Sequence, residues 1–176
     1  MKPTDQVSFQ NSLYIRPVKW YSSDADFLER LHRESREDLT LIEGDDDFIY
    51  SLVDMQYQAR NQGYGTQFPN AVDLMIESAG TPIGRMTVDQ GANEVRLVDL
   101  ALIKTARGQG YGQQIVQSLM QASAMAGLPL TLTVQRLNAS ALHTYAKLGF
   151  QVLDENPLQL HLIWTPPGRA SVFVGV

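Results

Sequence analysis

The stretch Ala106–Gln114, ARGQGYGQQ, carries glycine at three alternate positions, Gly108, Gly110 and Gly112, between an apolar run and a run of helical periodicity. The spacing predicts a helix from about Gly108 to Ala126. Inside a helix each glycine costs about 1 kcal/mol relative to alanine, so the three together forfeit about 2–3 kcal/mol. A tight strand-to-helix corner needs only one. Glycines let a ligand approach the main chain, and the amide groups at the positive dipole end of a helix favour anions. The chemistry implied is the gripping of a phosphate, with a pyrophosphate the natural occupant. A nucleoside-triphosphate loop would end in Gly-Lys followed by Ser or Thr, but Gly112 is followed by Gln113 and Gln114. A dinucleotide fingerprint would need glycine where Gln113 stands and an acidic residue near the end of the next strand, LPLTLTVQR, and has neither.

The elements that must position this loop are legible on both sides of it. Leu13–Val18 alternates as a strand, and Ser23-Asp24-Ala25-Asp26 resembles a capping box opening a helix whose stripe is Phe27, Leu28 and Leu31. A second helix is predicted at about Asp47–Arg60, followed by the loop NQGYGTQFPN. Val72–Glu77, Ile83–Val88 and Glu94–Ile103 read as an antiparallel meander joined by SAGT and DQGAN. Ile115, Val116, Leu119, Met120 and Ser123 mark the helix after the glycines, which Gly127 can cap. Leu130, Leu132 and Val134 alternate with polar residues as a strand, which completes a βαβ unit and makes this strand parallel to Glu94–Ile103. Asn138 caps a short helix with inner face Leu142, Tyr145 and Ala146, Gly149 ends it, and Phe150 folds back. Phe150–Asp154 and Leu158–Trp164 form a closing hairpin around ENP.

The 176 residues suit a single domain with one core, about 13–164, and short tails at both ends. A composition of 44% hydrophobic and 19% charged residues excludes a disordered chain. The net charge of -5 argues against a nucleic-acid partner, which requires a basic surface. The absence of cysteine excludes disulfides, thiolate metal sites and cysteine nucleophiles. MKPTDQVSFQ has no apolar signal core, and no run approaches a membrane span, so a cytoplasmic protein without a membrane partner is expected. His32, His143 and His161 have no paired ligand spacing, so no metal is expected. Asp45-Asp46-Asp47 stands where a helix amino end welcomes acids.

Arg107-x-x-Gly110-x-Gly112, after the strand VRLVDLAL, resembles the acyl-CoA loop of the GNAT N-acyltransferase superfamily. A second segment, NASALHTYAKLGF (Asn138–Phe150), is similar to that family's Asn…Ala…Tyr…Gly-Phe motif, and the order of elements agrees from Leu13 to Trp164. The resemblance implies an α/β (α+β) fold with a mixed, mostly antiparallel central sheet, helices on both faces and a splayed parallel strand pair. It implies acetyl-CoA as co-substrate, with the backbone of Leu100, Ala101 and Leu102 on the pantetheine and one NH on the thioester oxygen. Gly108, Gln109, Gly110, Tyr111 and Gly112 would wrap the pyrophosphate, Arg107 would add charge, and Asn138 would touch the cofactor.

The chemistry of such a site makes two demands. An amine of pKa about 10.4 must lose a proton before it attacks, at a cost of about 4–5 kcal/mol at pH 7, and the departing thiolate is better released protonated. By the resemblance, Tyr145 is the donor. Glu94 and Asp99 are the candidate bases; strand alternation puts them on opposite faces, so at most one faces the substrate. His143, two positions from Tyr145 on a helix, points elsewhere. The expected activity is acetyl transfer to a small-molecule or peptide amine without a covalent intermediate. An acyl-CoA-binding or protein-interaction module without turnover is the second reading, and a nucleotide or dinucleotide binder the third. The apolar end SVFVGV could add a strand to a partner's sheet in a homodimer.

Overall fold

Ala79 and Gly80 both hold positive φ, at 50° and 80°, which makes the two-residue turn whose twist matches a β-hairpin. They join β2 (Val72–Ser78) to β3 (Thr81–Gln90). The structure, a computed structural model, describes residues 13–20, 22–40 and 68–168, with side chains of the first helix described as far as Glu34. The helix predicted at Asp47–Arg60, the acidic triplet at 45–47 and SVFVGV lie outside the described residues.

The remaining elements are β1 (Leu13–Pro17), α1 (Ser23–Thr40), β4 (Val95–Leu102), a 3-10 turn at Lys104–Ala106, α2 (Tyr111–Ala126), β5 (Leu130–Gln135), α3 (Ala139–Leu148), β6 (Gln151–Glu155) and β7 (Gln159–Trp164). The strands hydrogen-bond in the order β1-β2-β3-β4-β5-β7-β6. β4 and β5 are parallel, as the βαβ reading requires, while β1 with β2, β5 with β7 and β6 with β7 are antiparallel. Among the described residues, the parallel ladder has three pairs, Val95↔Leu130, Arg96↔Thr131 and Leu97↔Leu132, after which β5 continues to Gln135 paired with β7.

The chain divides into two compact units. One holds the described residues as far as Thr87 together with Asp99–Arg107. Its buried side chains include Leu28 and Leu31 of α1, Met75 and Ile76 of β2, and Ile83 and Met86 of β3. α1 does not start with the predicted box. Ser22 occupies the cap position, its Oγ accepting from the Asp24 amide, while Asp24 takes two bonds from the Arg16 guanidinium at 2.8 Å each and one from the Lys19 amide. A bidentate arginine outcompetes a local cap for this carboxylate. Arg16 holds Asp24 well below the usual carboxylate range, at about 2.

The other unit holds Val88–Val98 and the chain from Gly108 on. Ile115, Val116, Leu119 and Ser123 form the buried stripe of α2, and Leu130, Leu132 and Val134 the buried face of β5. Gly127 closes α2 in the left-handed conformation. Asn156 turns the final hairpin by accepting from the Leu158 and Gln159 amides, and β6 carries a bulge between Val152 and Asp154.

Candidate active site

The glycine loop sits ahead of α2 rather than inside it. The helix begins at Tyr111, three residues later than the spacing predicts, because Gly108 and Gly110 adopt φ of 73° and 83° and cannot be helical. Their cost is therefore not a helix-interior cost: a left-handed backbone is what asks for glycine at these two positions. Gly112 differs. Its φ is not left-handed, and a Cβ built on it would meet nothing within 4 Å, so neither conformation nor packing demands glycine there. It leaves the half-buried first turn of the helix without a side chain at this position, next to the exposed residues Gly108–Gly110. The first intrahelical bond runs from the Gln114 amide to the Gly110 carbonyl, so the amides ahead of Gln114 have no acceptor within the helix itself. This is the steric and electrostatic arrangement a pyrophosphate requires, and the residues present fit one.

α3 supplies the second motif. Asn138 Oδ1 accepts from the Ala141 amide at 3.2 Å, which makes it the helix cap and leaves its side-chain NH2 for another partner. Gly149 closes the helix at φ 96°, and the Phe150 amide returns to the Tyr145 carbonyl. The Phe150 ring packs on Tyr145 with centroids 5.5 Å apart. The inner face is Leu142, Tyr145 and Leu148, each half-buried; Ala146, predicted on that face, is exposed. The helix runs unbroken to Leu148 before Gly149 caps it, and the inward line of its last turn passes through Leu148 instead. Burial raises the Tyr145 phenol above its ordinary value, so it is protonated at neutral pH.

In the first unit, Leu100–Leu102 end β4. A Cβ on Gly84 of β3 would lie 2.4 Å from the Ala101 carbonyl oxygen and 3.3 Å from Leu102 Cα, so glycine is obligatory there. The Ala101 carbonyl thus faces β3, as does the Ile103 amide, which donates to the Ile83 carbonyl. By strand alternation Leu100 and Leu102 turn their main-chain groups the other way. Arg107, exposed, donates from Nε to the Leu102 carbonyl at 3.0 Å. Asp99 accepts from Nη2 of buried Arg85 at 3.1 Å. Sequence reasoning passed over Gly84, although an isolated glycine in a strand pattern is itself a signal of close backbone approach.

In the second unit, Glu94 precedes β4 and accepts from Thr131 Oγ1 at 2.7 Å. Beside it Arg96 donates to Thr131, to Thr133 Oγ1 at 2.6 Å and to His161 Nε2. A guanidinium only donates, so the imidazole it meets is neutral with its proton on Nδ1. Burial, reinforced by the Arg96 charge, lowers the His161 pKa; Glu94 and Asp154 oppose the shift without reversing it. His161 went unrecognised in the sequence because its partners come from β4 and β5, 65 and about 30 residues away, and only the Thr131/Thr133 alternation hints at a polar sheet face.

The chain matches the model of the acetyltransferase (GNAT) family over residues 28–150, well over half its length. It belongs to that family, which uses acetyl-CoA as acyl donor. Similar solved structures include PaiA N-acetyltransferase from Thermoplasma acidophilum in complex with coenzyme A (21% identity, 88% of this chain and 99% of that chain, TM-score 0.68). An acetyltransferase from Thermus thermophilus has 21% identity, coverage of 88% and 97%, and TM-score 0.63. The ribosomal-protein-S18-alanine N-acetyltransferase from Escherichia coli has 14% identity, coverage of 93% and 99%, and TM-score 0.59. At these identities the likeness is one of fold, and it agrees with the mixed sheet and the parallel pairing of β4 with β5. No curated protein sequence matches the chain. Among the described residues no group of three or more His, Asp or Glu side chains could hold a metal, and no helix is long and apolar enough to cross a membrane.

Proposed function

We propose that the protein transfers acetyl from acetyl-CoA directly to a primary amine, with Tyr145 as the proton donor to the departing sulfur. The bound thioester supplies an activated acetyl group. The observation that carries the reading is the loop Gly108–Gly112, two of whose glycines are required by a left-handed backbone while Gly112 serves only to keep the helix end bare. Its amides bind the pyrophosphate. The main-chain groups of Leu100 and Leu102, turned away from β3, bond the pantetheine arm, and one NH is available to the thioester oxygen. Ala101, facing β3, supports the strand instead. Arg107 holds the Leu102 carbonyl and brings positive charge next to the loop. Asn138 keeps its NH2 for the cofactor while its oxygen caps α3.

For the proton of the amine, Glu94 is better suited than Asp99. A hydroxyl donor leaves the Glu94 carboxylate its charge, whereas Asp99 is already in an ion pair with Arg85. The acceptor is a small-molecule or peptide amine; the Escherichia coli relative is named for the alanine of a ribosomal protein. The test is release of free CoA from acetyl-CoA across a panel of amines, with wild type compared with Tyr145→Phe. Turnover with at least one amine is the expected result. Binding of CoA with no turnover on any amine would leave a binding module and overturn the reading.

A further inference from the structure

Between the end of β4 and the glycine loop the chain makes the 3-10 turn Lys104–Ala106, closed by the Ala106 amide on the Ile103 carbonyl at 3.0 Å and the Arg107 amide on the Lys104 carbonyl at 3.2 Å. The Lys104 amide lies ahead of these bonds and has no acceptor inside the turn. A local cap would come from position 103, but Ile103 has no acceptor on its side chain and is buried in the core. The cap comes instead from α1. Glu34 Oε2, 70 residues away in sequence, accepts from the Lys104 amide at 2.8 Å. Glu34 is half-buried, and its Oε1 lies 3.6 Å from Nε of exposed Arg30, so the bond to the turn is the shorter of these two contacts. A hydrogen bond to a carboxylate is about twice as strong as one between neutral groups. What the turn carries gives that bond its consequence. The Ile103 amide ties it to β3 and buried Ala106 pins its middle, while Arg107 at its end rests on two carbonyls, its amide on Lys104 and its Nε on Leu102. The Leu102 main chain and the Arg107 charge are groups assigned above to the cofactor.

We infer that Glu34 is a positioning residue for coenzyme A: by accepting from the Lys104 amide it holds the turn that presents Arg107 and the Leu102 main chain to the cofactor. The inference rests on the acyl-transfer reading. Its effect has a sign that charge alone would reverse. A carboxylate repels a polyanionic ligand, so Glu34 acting only as a nearby charge would weaken CoA binding, and its removal would tighten it. Acting through the bond it accepts, its removal weakens binding.

The test measures CoA affinity by calorimetry, and acetyl-transfer kinetics, at a temperature where each protein is folded. Glu34→Met keeps the length of the side chain and removes the acceptor. The Kd of CoA and the KM of acetyl-CoA should rise about tenfold, the size expected for a charge-assisted hydrogen bond, while kcat changes less than about twofold. Glu34→Gln keeps an oxygen for the Lys104 amide and should hold CoA affinity within about twofold of wild type. Arg30→Met, which removes only the exposed partner of the carboxylate, should leave it unchanged. In wild type, CoA should slow amide hydrogen exchange of residues 103–107 by about tenfold or more, a readout that needs no variant should Glu34→Met fail to fold. CoA binding by Glu34→Met that is unchanged or tighter, an equal loss in Glu34→Gln, a fall in kcat with KM unmoved, or exchange at 103–107 indifferent to CoA overturns the proposal while wild-type turnover keeps the acyl-transfer reading. If wild type binds CoA but acetylates no amine, and the variants rank in affinity as stated, the transfer reading fails and the positioning role stands. If wild type neither binds CoA nor acetylates any amine, both fail.

Discussion

Removing the Tyr145 hydroxyl tests the proposed proton donation separately from cofactor binding. Tyr145→Phe preserves the ring that packs on Phe150 at 5.5 Å, so the fold of α3 is kept. The expected outcome is a fall in kcat of about 10²-fold or more, the usual worth of a positioned acid, with CoA affinity by calorimetry changed less than twofold. An unchanged kcat would remove Tyr145 from the reaction. The loop glycines separate differently. Gly110→Ala forces a side chain onto a left-handed φ of 83° and should lower stability by about 1 kcal/mol while weakening CoA binding. Gly112→Val puts no left-handed strain on the backbone and its Cβ meets nothing within 4 Å, so it should weaken CoA binding with little change in thermal midpoint. A Gly112→Val protein that binds CoA normally would contradict the role given to the bare helix end.

Among the elements, those read from local pattern and those built from distant partners part company. α2, α3 and β5 were legible because a 3.6 or 2.0 period, a capping asparagine and a glycine stop lie within a few residues of one another, and all of these signals are local. The turn at Ala79-Gly80 was legible for the same reason. What escaped is long-range. Sequence shows Asp24 as part of a cap, but its carboxylate belongs to Arg16 on β1; it shows His161 as one of three scattered histidines, but Arg96 reaches it from β4. The late start of α2 escaped because periodicity counts residues and cannot register the sign of φ. The candidate site is read from two local motifs, while the β3 contact that distinguishes Ala101 from Leu100 and Leu102 required the pairing itself. Gly84→Val tests that pairing: its Cβ would overlap the Ala101 carbonyl, and a loss of about 1–3 kcal/mol in urea denaturation is expected.

For the molecule as a whole, the Asp24–Arg16 pair sets an acid limit. The Asp24 pKa falls from 3.8 to about 2 on folding, so its contribution, about 2 kcal/mol, is complete above pH 4 and is lost as pH falls through 2. Asp24→Asn should therefore flatten the stability profile between pH 4 and about 2, measured by urea midpoints; a profile parallel to wild type would discount the pair. Ligand linkage supplies the other global test. At 100 times its dissociation constant a ligand adds about 2.7 kcal/mol of stability, so acetyl-CoA should raise the thermal midpoint where ATP and NAD do not. The reverse order would return the glycine loop to nucleotide binding.

The irregularity in β6 between Val152 and Asp154 bears on solubility. β6 ends the strand order, and all five of its residues are exposed, Val152 and Leu153 among them. A straight rim of that composition would template other chains, and a one-residue kink spoils its outward row of donors and acceptors. Deleting Leu153 would straighten the rim, and light scattering at rising protein concentration should then report more self-association than for the parent chain.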